Sequence, residues 1–280
     1  MAELAAVMAS AHAPQLIAPP PTEDPEQVRL TLEAMGRLGQ RLDEVRPDAL
    51  LLIAGDHLEG FFLNCVAPFT VFLAEQASGT FAGRHWSYPV ATELALALVE
   101  DGLEAGFDLA YSQEAELDHA SLVPLHYILG TRPIPVLPLF VNVYVPPQPP
   151  PKRCYQLGQA LGNILRRRPE RVAVLASGGM SHYPGTERYG NPDYAFDEQL
   201  LRDLKAGRGQ ALVDCPPARL DDTGNVELRT WLVAMGMIGA DRPFQLITYQ
   251  PTWHHGYAVG EWILGAVKAP PSPAAAGQGM

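Results

Sequence analysis

Alternating strand and helix patterns in the sequence predict a three-layer α/β domain, in which a mainly parallel or mixed central sheet is flanked by helices. Five short apolar segments are typical of buried strands, and they lie at residues 4–10, 49–54, 134–141, 171–176 and 244–249. Most of these segments lack polar alternation, which indicates strands covered on both faces. Helical patterns lie between them, as expected for a sheet of this class.

The clearest helix begins after Asp24, an N-cap residue that is followed by Pro25 at the first helical position. Apolar side chains then recur at a spacing near that of a helical turn, at Val28, Leu32, Met35, Leu42 and Val45. Further helices are predicted at about residues 91–106, 152–166, 196–205 and 226–238.

Three segments fall outside this alternation. Residues 67–88 combine several aromatic residues with turn residues and show no helical period, so we expect a hairpin or a lid there. The PPQPPP segment at residues 146–151 predicts a stiff surface connection. The Pro/Ala/Gly-rich residues 269–280 predict a disordered tail, which leaves a single domain over residues 1–268.

Composition limits the kinds of partner. Apolar residues make up 47% of the 280 residues and charged residues 18%, which is typical of a soluble globular enzyme. The formal charge of −11 argues against a nucleic-acid partner, because such proteins need a basic face. A small organic anion would need a local patch of hydrogen-bond donors or positive charge.

Cysteine usage and hydropathy predict the compartment. Cys65, Cys154 and Cys215 are scattered and form no CxxC pair, so neither a disulfide framework nor a thiolate zinc site is expected. The first residues have an acidic start and a short apolar stretch, which favour a strand over a signal peptide. No apolar run reaches the length of a membrane span, and we therefore expect a cytoplasmic protein.

Three of the eight histidines come directly after predicted buried strands. These are His12, His57 and His182. The carboxyl ends of parallel strands meet at one edge of a sheet, where ligand sites form, so the three side chains are expected to converge. A single histidine at a strand end is more often a hydrogen-bonded structural residue, but three such placements favour a site.

Two imidazoles and one carboxylate are the ligand set of a non-heme Fe(II) oxygenase. Glu227 is one candidate carboxylate, at the start of a predicted helix after Asn225 as its cap, although glutamate is also common there because of the helix dipole. Asp56 and Asp118 each precede a histidine and are alternatives, as ligands or as acceptors that orient an imidazole ring. The residue pattern alone does not choose among these carboxylates.

At these residues the chain resembles the class III extradiol dioxygenases, and among them the catalytic β subunit of protocatechuate 4,5-dioxygenase. The resemblance runs through most of the sequence and follows its order: SAHAP (10–14), GDH (55–57), LDHASLVPL (117–125), VNVYVPP (141–147), KRCYQLG (152–158), SGGMSH (177–182) and VELRTWLVAMG (226–236). Each fragment is weak by itself, whereas the whole set in this order is specific.

The resemblance implies an Fe(II) enzyme that opens a catechol-type ring with O2 and yields a semialdehyde, without an organic cofactor. It implies His12, His57 and Glu227 as iron ligands, His182 as the acid–base residue and His119 as a second pocket histidine. His254 and His255 lie where the family contacts substrate, in a segment that departs from the protocatechuate enzyme. A carboxylated catechol is the implied substrate, with Gly256 amides, Arg84 or His85 as further donors.

The resemblance also raises the question of partners. The protocatechuate enzyme carries a small helical lid subunit, and no segment of this chain resembles it, so the lid is either local or a separate partner. We also expect a homo-oligomer. Three alternatives stay open: a 2-aminophenol-type dioxygenase, a metal-free binding protein on the same scaffold, and a zinc hydrolase with the same ligands. Metal analysis and oxygen consumption with a catechol discriminate among them.

Overall fold

The computed structural model of this chain describes residues 4–265. Ten strands lie in this range: β1 (Ala6–Ser10), β2 (Ala49–Ala54), β3 (Phe69–Phe72), β4 (Gln76–Phe81), β5 (Arg84–Pro89), β6 (Ala110–Ser112), β7 (Val136–Val141), β8 (Val172–Ser177), β9 (Phe244–Pro251) and β10 (Gly256–Trp262). The α-helices of the same range are α1 (Pro25–Val45), α2 (Thr92–Glu104), α3 (His119–Pro124), α4 (Pro151–Arg167), α5 (Tyr194–Lys205), α6 (Gln210–Val213), α7 (Pro217–Asp222) and α8 (Leu228–Ile238). A π-helical turn, Leu125–Leu129, extends α3.

Eight of the strands form one mixed sheet in the order β6-β3-β7-β2-β8-β1-β10-β9. The four central strands, β7, β2, β8 and β1, are mutually parallel. β3 pairs with β7 in the antiparallel direction, and so does β10 with β1. This arrangement confirms the predicted α/β class with a mainly parallel or mixed sheet.

Both faces of the sheet are buried, which explains why its central strands show no polar alternation. In β2, Leu51 and Ile53 pack into the apolar cluster that contains α2, α4, α5 and α8. Leu50 and Leu52 pack into the opposite cluster, which contains α1 and α3. The helices therefore form the two outer layers, and the carboxyl ends of the central strands remain free to build a site.

The bounds of most predicted elements hold, whereas β6, α3, α6 and α7 had no predicted counterpart, and three further differences concern the hairpin, β10 and α8. Of residues 67–88, β3 joins the main sheet, whereas β4 and β5 form a separate antiparallel hairpin. β10 had no counterpart among the predicted strands, because Gly256 and Gly260 interrupt its apolar pattern. α8 begins at Leu228, and Asn225 does not cap it: the Asn225 amide donates to Asp197 instead. The predicted tail, residues 269–280, lies outside the described residues.

Candidate metal centre and active site

The predicted site residues lie at the carboxyl edge of the sheet. His12 follows β1, His57 follows β2 and His182 follows β8, all within a few residues of the strand ends. Glu227 directly precedes α8, and His119 is the first residue of α3. The strand ends and the two helix starts thus bring residues from across the sequence to one place, as the strand-end argument predicted.

The hydrogen bonds of His12 determine which of its ring nitrogens carries the proton. Its Nδ1 lies 2.8 Å from the Ser177 hydroxyl, and that hydroxyl donates its only proton to the Ala120 carbonyl. Ser177 must therefore accept a hydrogen bond from Nδ1–H of His12. In a neutral ring this leaves a lone pair on Nε2, which faces Oε1 of Glu227 at 3.1 Å.

His57 is oriented in the same way by Asp118. The buried Asp118 carboxylate lies 2.7 Å from Nδ1 of His57 and also accepts the backbone N–H of His57 at 3.0 Å. Nε2 of His57 then points into the site, 3.5 Å from Oε1 of Glu227. Such a carboxylate behind an imidazole is the usual support of a metal-binding histidine.

Glu227 is buried among these groups, with only 1% of its surface exposed. Its second oxygen, Oε2, accepts the backbone N–H of Gly179. Burial alone would raise the pKa of this carboxyl, but the charges and hydrogen bonds of His12 and His182 hold the pKa well below its ordinary value. Glu227 is therefore a carboxylate that requires positive charge beside it.

The arrangement of these three side chains fits a bound cation. When both imidazole rings are neutral, their protons are directed to Ser177 and Asp118, and the facing atoms of His12, His57 and Glu227 are all acceptors. Acceptors at 3.1 and 3.5 Å repel unless a proton or a metal ion lies between them. The separations are close to the roughly 3 Å expected between neighbouring ligands at bond lengths of about 2.0–2.2 Å. Although burial opposes it, Asp118 and Glu227 raise the pKa of His57 to about 10, and the same two carboxylates would favour a metal ion.

Two neighbouring groups of candidate ligands occur in the described part of the chain. The ligand atoms of His12, His57 and His119 lie within 4.8 Å of one another, and so do those of His182, Glu227 and His255. The contacts of Glu227 with His12 and His57 join the two groups into one cluster. The predicted ligand set draws on both of them.

His182 has the geometry of a proton acceptor. Its Nδ1 lies 2.8 Å from the Met180 carbonyl and must donate to it, so that Nε2 of the neutral ring is free to accept. Nε2 lies 3.5 Å from Oε1 of Glu227 and 3.4 Å from the hydroxyl of Tyr144. The His182 ring is stacked on His255, with ring centroids 3.9 Å apart.

His119 lies beside His12 and His57 and is held neutral. Its ring centroid is 4.1 Å from that of His57 and 5.7 Å from that of Phe81 in the β4–β5 hairpin. Burial, together with the charge of His57, lowers the pKa of His119 to about 3. Its Nδ1 has no hydrogen-bond partner among residues 4–265, although it is buried.

His254 and His255, in the turn before β10, have different surroundings. His255 is buried against His182, and burial and the charge of His182 hold its pKa well below the ordinary value. Gly179 leaves room for it, since a Cβ there would lie 1.8 Å from Nε2 of His255. His254 instead contacts Glu23 at 3.0 Å, a buried pair that the sequence did not predict.

The remaining candidates lie apart from this cluster. Asp56 accepts backbone N–H groups of the turn that follows His57, from Leu58, Gly60 and Phe61, which is a structural task. His85 lies on the exposed hairpin against Thr80, and Arg84 is exposed there too. His126 contacts Trp86.

Two contributors were missed by the sequence reasoning. Tyr144, in the turn after β7, donates its hydroxyl to Oε1 of Glu227 and lies 3.0 Å from Nε2 of His57. Asp197, in α5, accepts hydrogen bonds from the Ser181 backbone, the Asn225 amide and the Tyr249 hydroxyl, and thereby joins the loops that carry His182 and Glu227. Tyr144 could have been found by its position, since it too follows a buried strand.

A large cleft lies away from this cluster. It measures about 1160 Å³ and is an arginine-rich cleft near the amino ends of β1 and β8, with Arg41, Arg166 and Arg171 among its lining residues. These ends are at the opposite edge of the sheet from the histidines, so the cleft is separate from the histidine cluster.

No helix within residues 4–265 is long and apolar enough to cross a membrane.

Comparison with known proteins adds a family and a set of relatives. Residues 6–260 match the family described as the catalytic LigB subunit of aromatic ring-opening dioxygenase. A 2,3-dihydroxyphenylpropionate/2,3-dihydroxicinnamic acid 1,2-dioxygenase of Klebsiella pneumoniae strain 342 is 37% identical over 193 residues, which are 68% of this chain and 60% of the relative. A protein of the same name from Klebsiella pneumoniae subsp. pneumoniae is 33% identical over 239 residues, 84% of this chain and 71% of the relative.

A third relative and a solved structure complete the comparison. The Pseudomonas putida dioxygenase 2 of the same name is 35% identical over 65% of this chain and is matched over 55% of its own length. The chain thus spans between about half and about seven tenths of these relatives. The crystal structure of an uncharacterized Escherichia coli K12 protein shares the fold, with a TM-score of 0.64, 19% identity and coverage of 92% of this chain and 98% of that one.

Proposed function

The chain belongs to the family of the catalytic LigB subunit of aromatic ring-opening dioxygenases, and we propose that it is an Fe(II)-dependent extradiol dioxygenase. The reaction inserts both atoms of O2 into a catechol-type ring, beside the diol, and gives a ring-opened semialdehyde. The observation that carries the proposal is the convergence of His12, His57 and Glu227, with a free proton acceptor on His182 beside them.

Fe(II) is the metal proposed for this ligand set. Two imidazoles and one carboxylate leave coordination positions open for a diol and for O2, and thiolates, which would favour zinc or an iron–sulfur cluster, do not take part. When bound, the ion supplies Lewis acidity towards the diol and the capacity to activate O2. Ser177 and Asp118 hold the two imidazoles with their lone pairs turned inward.

His182 is proposed as the acid–base residue. Its Nε2 takes a proton from a substrate hydroxyl, while its Nδ1–H stays fixed on the Met180 carbonyl, so the ring does not have to turn between accepting and returning the proton. His119 is proposed as the second catalytic histidine. As a neutral imidazole in a buried place it can donate a hydrogen bond to an oxygen on which negative charge develops.

We propose a carboxylated catechol as the substrate class. The named substrates of the relatives, 2,3-dihydroxyphenylpropionate and 2,3-dihydroxicinnamic acid, carry their carboxylate on a short side chain, and protocatechuate and gallate carry it on the ring. An anion is disfavoured by the net charge of −11 and needs local donors. His255 is proposed as one of them, because Nε2 is buried and has no partner among the described residues. His254 is proposed to hold the turn that carries His255 in place through its contact with Glu23.

The proposal also covers the partners, the domain bounds, the cellular location and the oligomeric state of the protein. The aromatic diol and O2 are the small-molecule partners, and residues 1–268 form the catalytic domain. A cytoplasmic location, a homo-oligomeric state and a small helical lid subunit complete the proposal.

The test is anaerobic reconstitution with Fe(II), followed by addition of O2 and of five compounds: 2,3-dihydroxyphenylpropionate, protocatechuate, gallate, catechol and 2-aminophenol. The expected result is one O2 consumed per catechol and a yellow ring-opened product. Glu227→Gln should abolish turnover, whereas Glu33→Gln on the exposed face of α1 should not. Oxygen uptake with 2-aminophenol alone would favour the aminophenol reaction, and the absence of uptake with every compound would contradict the proposal.

A further inference from the structure

The hydroxyl of Tyr144 lies at the centre of the site. It donates to Oε1 of Glu227, it is 3.0 Å from Nε2 of His57, and it is 3.4 Å from Nε2 of His182. It therefore contacts two proposed ligands and the proposed base at once. A phenol hydroxyl in this place has the same chemistry as the hydroxyl of a catechol.

The loop that carries Tyr144 is fixed by its own hydrogen bonds. The Asn142 amide donates to the Val145 carbonyl at 2.7 Å, and the Val145 backbone donates back to Asn142 at 2.9 Å. The Gln148 amide donates to the Tyr144 carbonyl, and the Tyr144 ring lies against His57 with centroids 4.8 Å apart. The phenol is thus held in position before any substrate arrives.

The count of protons around this hydroxyl indicates what it can do. The phenol has one proton, whereas Oε1 of Glu227 and, when both rings are neutral, the Nε2 atoms of His57 and His182 are three acceptors. The hydroxyl gives this proton to Oε1 of Glu227, so the phenol is the hydrogen-bond donor among these groups. If the cation engages Glu227 and His57, both lose much of their strength as acceptors, and the phenol proton becomes available to a substrate oxygen.

We propose, on the basis of the proposed function, that Tyr144 donates a hydrogen bond to the catechol oxygen that His182 deprotonates. The bond is charge-assisted, because that oxygen becomes an anion as its proton passes to His182. Tyr144 thereby binds the diol and favours its ionised form. Its proposed role is that of a hydrogen-bond donor and not of a metal ligand.

The experiment measures anaerobic binding of catechol to the Fe(II)-loaded protein, in the wild type and in Tyr144→Phe, together with bound iron. We expect unchanged iron content and about 10- to 100-fold weaker catechol binding, which is the usual effect of losing a hydrogen bond to a charged group. The absorption of bound catecholate should also appear at a higher pH in Tyr144→Phe. A purely structural role would not shift that spectrum.

A monohydroxylated analogue makes the comparison specific. Phenol has only one hydroxyl and should not place an ionised oxygen beside residue 144 in either the wild type or Tyr144→Phe. The affinities of the two proteins should therefore differ much less for phenol than for catechol. Tyr88→Phe is the matched control, because the buried Tyr88 hydroxyl has no partner within residues 4–265 and belongs to β5, outside the site. Its catechol affinity should equal that of the wild type.

The other outcomes overturn the inference in distinct ways. Loss of iron from Tyr144→Phe would make Tyr144 a ligand, tighter catechol binding would make it an internal competitor, and unchanged binding would give it no role. All three can occur while the wild type still binds iron and opens catechols, so they leave the proposed function intact. A wild type that binds neither iron nor catechol would overturn both.

Discussion

Nε2 of His12 and Oε1 of Glu227 lie 3.1 Å apart in a buried place, although neither atom carries a proton when the His12 ring is neutral. The single proton of the ring is committed to Ser177, which in turn donates to Ala120. Two acceptors at this distance need a positive charge between them. The contact therefore marks a place for a positive charge, supplied by a second proton on His12 or by a metal ion.

Ser177→Ala should weaken iron binding about 10- to 100-fold, the usual effect of removing a residue that orients a metal-binding histidine. Without the hydroxyl, Nδ1–H of His12 loses its acceptor and the lone pair on Nε2 is no longer directed at the site. Competition with a chromophoric chelator measures the affinity. Ser121→Ala is the control, because the buried Ser121 hydroxyl has no partner within residues 4–265. Equal affinities in all three proteins would show that Ser177 does not orient His12.

His182→Phe should keep iron and substrate binding and lose about 10²- to 10⁴-fold in kcat, because the change removes a proton acceptor and leaves the ligands in place. Iron content and single-turnover rates measure the two effects separately. His126→Phe, on the π-helical turn, is the control and should be active. Loss of iron from His182→Phe would place His182 among the ligands, and wild-type turnover would exclude it as the base.

His255→Ala should raise KM for 2,3-dihydroxyphenylpropionate or protocatechuate about 10- to 100-fold and change KM for unsubstituted catechol much less, if His255 donates to the substrate carboxylate. Steady-state oxygen uptake with each substrate provides the comparison. His85→Ala on the exposed hairpin is the control. An equal rise for acidic and neutral catechols would instead mean that His255 only supports the His182 ring, on which it is stacked.

Asp197 should make stability fall as pH rises. Burial raises the pKa of this carboxyl to about 7, against the effect of its hydrogen bonds from Asn225 and Tyr249. The folded state then binds a proton that the unfolded chain has lost, so between about pH 4 and pH 7 the free energy of unfolding decreases with rising pH, by at most about 1.4 kcal/mol per pH unit.

Urea unfolding of the wild type and of Asp197→Asn over this pH range tests the point. Asparagine does not titrate, so the wild-type profile should show the steeper fall and the two curves should differ most in slope between these limits. Parallel profiles would mean that Asp197 is ionised throughout.

Much of the fold could be predicted because its core strands are covered on both faces. Uninterrupted apolar segments such as residues 49–54 exist only where helices pack on each side, and β2 is such a strand. β10 was not predicted because glycines interrupt its apolar pattern. Its position also depends on antiparallel pairing with β1, which no local pattern encodes. The prediction of Asn225 as a helix cap was wrong for a similar reason, because its amide donates to Asp197, which is distant in sequence.

The site was predictable in position but not in detail. Strand ends located His12, His57 and His182, and this rule applies equally to Tyr144, which was overlooked because a tyrosine is usually part of a core. The roles of Ser177 and Asp118 depend on distances between segments that are far apart in sequence, 165 residues in the pair Ser177–His12. His254 and His255 looked equivalent in sequence, yet one faces Glu23 and the other His182.

X-ray diffraction from Fe(II)-loaded crystals, recorded at the iron absorption edge, tests the metal assignment most directly. One anomalous peak per chain is expected within about 2.0–2.2 Å of Nε2 of His12, Nε2 of His57 and a carboxylate oxygen of Glu227. His119, His182 and His255 should lie outside bonding distance of it. A peak bonded to His12, His57 and His119, or to His182, Glu227 and His255, would contradict the assignment.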